Sequence, residues 1–169
     1  KAPIQGFEYD EYGNLTSVLT PKMAGSDKEQ KDKAKPVFVY NNLGMITGTK
    51  ESYQLDDKWH DIRASVKYNI RGQKIEISDP ENNKWKFYYT SRGFLESTED
   101  PEHNITRYTH DKYGNVTSIT EPRGVKNNTG DYRTFFIYDD FNRLVKTILP
   151  DDINDNESLE SQTLNNNPY

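Results

Sequence analysis

The sequence predicts an all-β fold, built from tandem β-hairpin repeats that form a curved, continuous antiparallel sheet. Three observations predict it. An aromatic residue followed four residues later by glycine recurs along the chain, apolar residues alternate with polar or mixed ones before each copy, and prolines stand at a fixed distance after it. Self-similarity at a regular spacing indicates a repeat architecture in which each unit packs against its neighbours.

The aromatic position, called the anchor, occurs six times along the chain. One copy has histidine in place of tyrosine, and one copy has asparagine in place of glycine. The anchors are Tyr9, Tyr40, Tyr68, Tyr89, His110 and Tyr138. The matching fourth residues are Gly13, Gly44, Gly72, Gly93, Gly114 and Asn142.

The residue after each anchor begins a predicted turn, because its short polar side chain accepts a hydrogen bond from the backbone two residues on. A polar first residue with glycine fourth is typical of a type I turn, and a left-handed residue then closes a three-residue hairpin loop with a bulge. Glycine adopts positive φ without steric cost and asparagine is its usual substitute, so positive φ is predicted at all six positions. The first residues of these turns are Asp10, Asn41, Asn69, Thr90, Asp111 and Asp139.

The segments on either side of each turn have the pattern of strands. A large residue stands two places before every anchor, and alternation with an aromatic face indicates a half-buried strand. After the turn come segments rich in β-branched residues, such as 116–119, which suit a second strand. Proline cannot donate a hydrogen bond to a sheet, so it is expected where these strands end. Those prolines are Pro21, Pro80, Pro101, Pro122 and Pro150.

Residues 1–150 are therefore predicted to hold six hairpin repeats. The anchors are 31, 28, 21, 21 and 28 residues apart, so the compact period is 21. The longer spacings predict three inserted loops, at 22–35, 53–63 and 123–132, and insertions at one place in a repeat are expected on one rim of the sheet. Residues 151–169 are predicted to be an acidic, Asn- and Asp-rich linker or tail, and the opening inside a repeat suggests a piece of something longer.

Composition argues against several functional classes. The chain has no cysteine, which excludes disulfides and thiolate metal sites. The net charge of -5 is carried by five acidic residues in 151–169, a segment without lysine or arginine. The neutral remainder has no electrostatic footprint for nucleic acid. No stretch is long and apolar enough for a membrane span, so no membrane insertion is expected.

No arrangement of reactive side chains in the sequence predicts catalysis. His60 and His103 lie outside any metal-ligand or catalytic-triad spacing, and His110 is expected to be a packed ring, with a ligand or pH-sensing role as the alternative. No glycine-rich phosphate loop occurs. The Asp- and Asn-rich turns lack the ligand spacing of a calcium-binding loop. We therefore expect no enzyme activity, no cofactor and no metal.

The tandem pattern resembles the YD-repeat (Rhs) family over about residues 7–150. Tyr9-Asp10 and Tyr138-Asp139 carry the dipeptide that names the family, and Asp79-Pro80 and Asp100-Pro101 match its strand-ending pair. The resemblance implies a long β-sheet wound into a hollow shell. Bacterial Rhs proteins and the B and C components of Tc toxins use such shells to enclose a toxic polypeptide, and related repeats occur at cell surfaces. The family's autoproteolytic segment is not visible in 151–169.

The expected function is that of a structural segment of an encapsulating shell, secreted or at a bacterial cell surface, which sequesters a cargo or toxin polypeptide. Its expected partners are other repeats of the same parent protein and the enclosed cargo. The alternative is a cell-surface module that recognises carbohydrate or protein through aromatic residues in the rim loops. The candidate contact residues for that alternative are Tyr53, Trp59 and Tyr132, whereas Trp85 is expected in the core.

Overall fold

The computed structural model describes residues 6–19, 35–55, 58–127 and 132–150. These residues form twelve β-strands and one short helix, Pro122–Asn127, which confirms the predicted all-β fold. The first six strands are β1 Gly6–Tyr9, β2 Leu15–Leu19, β3 Val37–Tyr40, β4 Ile46–Leu55, β5 Lys58–Tyr68 and β6 Lys74–Ser78. The others are β7 Lys84–Tyr89, β8 Leu95–Glu99, β9 Ile105–His110, β10 Val116–Thr120, β11 Arg133–Tyr138 and β12 Leu144–Ile148.

The order of the strands in the sheet is their order in the chain, as expected when every hairpin is followed by the next. The chain divides into two compact units, residues 1–85 and 86–169. Strands β1 to β6 lie in the first unit, where each recorded pairing is antiparallel. The second unit holds β8 to β12 and the larger part of β7, again with antiparallel pairings.

Each of the six hairpins contains the predicted bulge beside its anchor. In the first hairpin Glu8 pairs with Ser17 but Tyr9 pairs with Leu15, so Thr16 has no residue opposite it. The same shift of register occurs at the other five anchors. One extra residue on one strand is the definition of a β-bulge, and it follows here from the turn geometry.

The prediction of positive φ at the fourth turn position is confirmed. The five turn glycines have φ between 72° and 94°, and Asn142 has φ of 60°. In each turn the N–H of this residue donates to the carbonyl oxygen three residues earlier. Asn142 therefore takes the glycine's place because asparagine tolerates the left-handed conformation.

The strands are also joined by a second set of turns of the same type. Asn82 and His103 have φ of 66° and 65°, and their N–H groups donate to the carbonyl oxygens of Asp79 and Asp100. These return turns connect β6 to β7 and β8 to β9. The prolines that follow the two aspartates do stand after strand ends, but each is also the second residue of a turn, where its fixed φ is favourable.

The structure corrects two of the three predicted loops. In the segment 53–63, residues 53–55 and 58–63 are strand and not loop, because β4 and β5 continue past the length of the other strands and pair from Gly48↔Ser65 to Leu55↔Lys58. In the segment 123–132 the short helix occupies the first part, beginning at Pro122, where proline's missing N–H is not needed. Residues 22–34 and 151–169, predicted as a loop and a tail, lie outside the described residues.

The described part of the sheet contains no large side chain that is fully buried. Ile148 is its one buried hydrophobic residue, and the other buried side chains are small and polar: Ser17, Ser78, Ser118 and Thr120. Trp85, expected in the core, is 37% exposed. A one-layer sheet explains this, because each face of such a sheet is covered only by neighbouring side chains on that face.

Candidate functional site

A recurrent structural feature is a hydrogen-bonded clamp within four of the turns, formed by an aspartate and the asparagine four residues later. Asp10 Oδ1 accepts hydrogen bonds from the N–H groups of Tyr12 and Asn14, at 2.9 and 2.8 Å, and Asn14 Nδ2 donates to Asp10 Oδ2 at 2.9 Å. The turn beginning at Asp111 has the same three bonds. Both return turns repeat them as well. In each of these four turns the aspartate carboxylate thus accepts three hydrogen bonds from its own turn.

These clamps make the turn carboxylates more acidic. The hydrogen bond from Asn14 lowers the pKa of Asp10, and the equivalent bonds from Asn83 and Asn104 lower the pKa values of Asp79 and Asp100. A carboxylate that accepts several hydrogen bonds is stabilised in its ionised form. The aspartates are therefore structural anions that hold the turns closed.

The anchors join each repeat to the one before it. Tyr40 Oη donates a hydrogen bond to the carbonyl oxygen of Leu15, and Tyr68 Oη donates to that of Ile46, both at 2.8 Å. Leu15 and Ile46 occupy the same position in successive repeats, two residues after the turn glycine. The anchor thus crosses from its own hairpin to the backbone of the preceding one.

The other anchors show variations on this role. The ring of His110 stacks on Phe94 of the preceding repeat, with ring centroids 5.3 Å apart and planes 25° apart. Burial raises the pKa of Tyr89, which together with Tyr138 is half-buried. Tyr9, on the first strand, is 61% exposed. Whether His110 has a ligand or pH-sensing role stays a prediction.

A second contact between repeats forms at the turn glycines. In four pairs of repeats, the residue that follows the turn glycine lies against the same turn position in the next repeat. A Cβ added to Gly114 would lie 2.9 Å from Phe94 Cε1, which is too close for any side chain. In the last pair the contact is a hydrogen bond of 2.9 Å from Asn115 Nδ2 to Asn142 Oδ1. The remaining described pairs, at 3.5 and 3.6 Å, are Asn14 with Gly44 and Met45 with Gly72.

A cluster of charged and polar side chains in the second unit surrounds Glu99. Its Oε1 accepts from His103 Nδ1 at 2.6 Å and from Lys86 Nζ at 3.0 Å, while its Oε2 accepts from Tyr88 Oη at 2.8 Å. These hydrogen bonds, led by the one from His103, lower the pKa of Glu99 to about 2. Sequence reasoning missed this cluster, because it depends on the pairing of Lys86 with Glu99 across two strands.

Two of the three candidate contact residues belong to the long β4–β5 hairpin of the first unit. The ring of Tyr53 stacks on that of its cross-strand partner His60, with centroids 5.4 Å apart. Trp59 pairs with Gln54, one register position further along the strand. Close by, hydrogen bonds from Arg63 and Ser52 hold the pKa of Asp61 well below its usual range.

The third candidate contact residue, Tyr132, lies in the second unit and immediately precedes β11. It has φ of 59°, and its carbonyl oxygen accepts the N–H of Glu121. The guanidinium carbon of Arg123 lies 5.9 Å from the centre of its ring. The rings of Tyr53 and Tyr132 thus both make local contacts, with His60 and Arg123. The two tyrosines belong to different units of the chain.

Neither a metal cluster nor a membrane helix is found in the ranges that the structure describes. No group of three or more His, Asp or Glu side chains there could hold a metal ion. No helix there is long and apolar enough to cross a membrane.

The hairpin from Tyr89 onward decides the family resemblance. Residues 89–126 match the model of the RHS Repeat family. This stretch is similar to an RHS repeat. It begins at the fourth anchor, contains the fifth anchor, and ends within the short helix. The resemblance to the YD-repeat (Rhs) family predicted from the sequence is confirmed.

Solved structures with the same fold come from Tc toxins. The chain is similar to a chain of the TcdB2–TccC3–Cdc42 crystal structure, with 18% identity and a TM-score of 0.59 over 85% of its length. It is similar over 85% of its length, with 19% identity and a TM-score of 0.59, to a chain of the Photorhabdus luminescens Tc holotoxin pore that carries a TccC3 mutation. The chain spans 7% of each of those chains. No curated protein matches it.

The geometry and the RHS repeat together describe a structural repeat segment. Its hairpins are joined by contacts that recur from one repeat to the next, at the anchors and at the turn glycines. The low identity to the Tc toxin structures means that this likeness establishes the fold alone.

Proposed function

We propose that this chain is a segment of the wall of an Rhs-type shell, whose function is to hold a cargo polypeptide away from its surroundings. It contributes a continuous barrier and catalyses no reaction. Its partners are the neighbouring repeats of the same parent protein and the enclosed polypeptide. The proposed location of that parent protein is outside the bacterial cell, either secreted or at the cell surface.

The observation that carries this proposal is the pair of contacts between successive repeats. An anchor hydroxyl that donates a hydrogen bond to the backbone of the preceding hairpin links the two hairpins side by side, as those of Tyr40 and Tyr68 do at 2.8 Å. A repeat protein in which each unit contacts its neighbours can extend without a central core. The absence of large buried side chains among the described residues agrees with a wall rather than a globular domain.

The experiment is a protease-protection assay on the full-length parent protein. We expect the polypeptide that follows its repeats to resist trypsin while the shell is native, and to be digested once the shell is opened by mild denaturant. The isolated polypeptide, digested under the same conditions, is the reference. Equal digestion rates for the isolated and the parent-attached polypeptide would contradict sequestration.

A matched pair of variants links that result to this chain. Gly114→Ala places a Cβ against Phe94 and should open the wall, so the cargo polypeptide should be digested without denaturant. Arg92→Gln changes an exposed turn residue one position before Gly93, and should leave protection unchanged. If both variants behave like the parent protein, this segment does not form part of the barrier.

A further inference from the structure

Two aromatic side chains stand at neighbouring hairpin turns of the second unit. Tyr113 and Phe141 are the third residues of the turns that begin at Asp111 and Asp139. These turns connect β9 to β10 and β11 to β12, and β10 pairs with β11. The two turns are therefore neighbours on one rim of the sheet, two strand spacings or about 10 Å apart.

Both aromatic residues are held by the same kind of backbone hydrogen bond. Asp111 Oδ1 accepts the N–H of Tyr113 at 2.8 Å, and Asp139 Oδ1 accepts the N–H of Phe141 at 2.9 Å. The hydrogen bond of 2.9 Å from Asn115 Nδ2 to Asn142 Oδ1 joins the two turns. Because the turns share one conformation and are linked, the two side chains project from the same rim in the same general direction.

Both rings are exposed to solvent at a position where the fold does not require an aromatic residue. Tyr113 is 66% exposed and Phe141 is 79% exposed. Arginine holds the same turn position in two other repeats, at Arg71 and Arg92. An apolar ring in water is unfavourable because its surface is removed from water only when something packs on it. The pair of rings is therefore a surface that a ligand would stabilise.

A cation lies over each ring and leaves part of the ring open. Lys112 Nζ lies 4.8 Å from the centre of the Tyr113 ring, and the guanidinium carbon of Arg143 lies 5.4 Å from the centre of the Phe141 ring. A cation in such a contact lies over the face of the ring, which helps to orient it. Since each ring has two faces and both rings are mostly exposed, the opposite faces are accessible to a ligand.

We propose that Tyr113 and Phe141 bind a neutral, β-1,4-linked polysaccharide, with one sugar ring stacked on each aromatic ring. The C–H groups on the face of a sugar ring form an apolar surface that packs on an aromatic face. In an extended β-1,4-linked chain each sugar ring is turned over relative to the one before it, so the same face recurs at every second ring. That repeat matches the two strand spacings of about 10 Å between the turns.

The groups around the rings suit a sugar better than a membrane or a protein. Three aspartates, Asp111, Asp139 and Asp140, outnumber the cations Lys112 and Arg143, so the patch does not attract anionic lipid headgroups. A stable protein interface buries about 800 Å² on each partner, whereas polar turn residues separate these two rings. The exposed Asp140 can accept hydrogen bonds from sugar hydroxyls, and the exposed Lys112 can donate to them. The inference does not depend on whether the parent protein is a shell.

The test is isothermal titration calorimetry of the full chain with soluble oligosaccharides. We expect β-1,4-linked cellohexaose or chitohexaose to bind, and their comparison shows whether the sugar is glucose or N-acetylglucosamine. The α-1,4-linked maltohexaose, whose chain coils, should not bind. Two alternate sugar rings are needed for both stacks, so a β-1,4-linked trisaccharide should bind more tightly than the disaccharide. Equal affinity for the disaccharide and the hexasaccharide would overturn the proposal, as would no binding of either β-1,4-linked hexasaccharide.

Substitutions at the turns link binding to the two rings. Tyr113→Ala and Phe141→Ala should each weaken binding at least about tenfold, because each removes a stacking surface. Both side chains are exposed, so the melting temperature should not change. Tyr12→Ala is the matched control: Tyr12 has the same turn position and is 82% exposed, but the next turn carries Leu43 there, so binding should not change.

Two results of these substitutions would contradict the proposal. Equal weakening by Tyr12→Ala would show that any exposed turn aromatic binds sugar, without the spacing of the pair. Binding of the chain to phosphatidylcholine vesicles that Tyr113→Ala and Phe141→Ala abolish, with oligosaccharide binding unchanged in both variants, would assign the rings to a membrane surface instead.

Discussion

Replacing Gly114 by alanine tests the contact that joins one repeat to the next. The substitution has two costs. Gly114 has φ of 94°, and a residue with a Cβ in the left-handed region loses about 1–2 kcal/mol. The new Cβ would also lie 2.9 Å from Phe94 Cε1 and 3.2 Å from Cζ, so the ring must move.

The second cost can be estimated from the structure. Moving the Phe94 ring disturbs its stack on His110, and such overpacking costs about 1–3 kcal/mol. We therefore expect Gly114→Ala to lower the free energy of unfolding by about 2–5 kcal/mol in total. Gly13→Ala has a φ of 84° but open space around the new Cβ, so it should cost only the backbone term of about 1–2 kcal/mol.

The assay is urea unfolding followed by circular dichroism, with Phe94→Ala as the second arm of a double-mutant cycle. In the Phe94→Ala background, Gly114→Ala should cost only the backbone term, which gives a coupling free energy of about 1–3 kcal/mol. A coupling free energy below about 0.5 kcal/mol would refute the reasoning, because residues that do not interact show additive effects within that range.

Three further predictions follow from the contacts of the anchors, the carboxylates and the aromatic face. Tyr68→Phe removes the hydroxyl that donates to Ile46, so it should lower the free energy of unfolding by about 1 kcal/mol, while Tyr9→Phe on the exposed first strand should leave it unchanged in the same urea titration. The pKa of Glu99 is lowered from 4.5 to about 2, so its contribution to the free energy of unfolding should be complete above pH 4.5 and lost as pH falls toward 2. The melting temperature of the protein should fall across that pH range, and it should fall less in the Glu99→Gln variant. Phe136→Ala should cost about 1–3 kcal/mol, less than for a fully buried phenylalanine, because Phe136 is half-buried; a cost above about 4 kcal/mol by chemical unfolding would show an enclosed core.

The hairpins could be predicted from sequence because each turn is encoded locally. The motif from Asp10 to Asn14 specifies the clamp, the left-handed glycine and the bulge, and all three are present in the structure. The return turns carried the same signal, since Asp79 and Asn83 are spaced like Asp10 and Asn14. The sequence analysis does not predict them, because Pro80 also fits the end of a strand.

The extent of the strands could not be predicted as well as their turns. The segment 53–63 lacks the motif and is therefore predicted as a loop, although cross-strand pairs such as Tyr53 with His60 extend the ladder as far as Leu55 and Lys58. A strand beyond its turn is stabilised by its partner strand, and single-sequence patterns do not show that partner. The short helix that begins at Pro122 is not predicted either, although proline at the first position of a helix is a known start signal.

The register of the second unit also aligns residues that the sequence does not connect: Tyr88, Ser97, Arg107, Thr120 and Arg133. These five residues are separated by 9, 10, 13 and 13 residues, so no motif links them. They meet because three successive pairings between β7 and β10, and a fourth between β10 and β11, hold the same register position. Only the bulges and the return turns together fix that register, and both are properties of the folded sheet.

The small buried serines have a consequence for how this protein unfolds. A strand whose interior contacts are Ser17 or Ser118 gains its stability from the strands on either side, so the free energy belongs to interfaces between neighbours. Such a chain behaves as a one-dimensional array, in which melting begins at a free end and advances strand by strand. Amide hydrogen exchange should then form a gradient, fastest at β1 and β12 and slowest inside each unit. In evolutionary terms, hairpins can be gained or lost without redesign of a shared core.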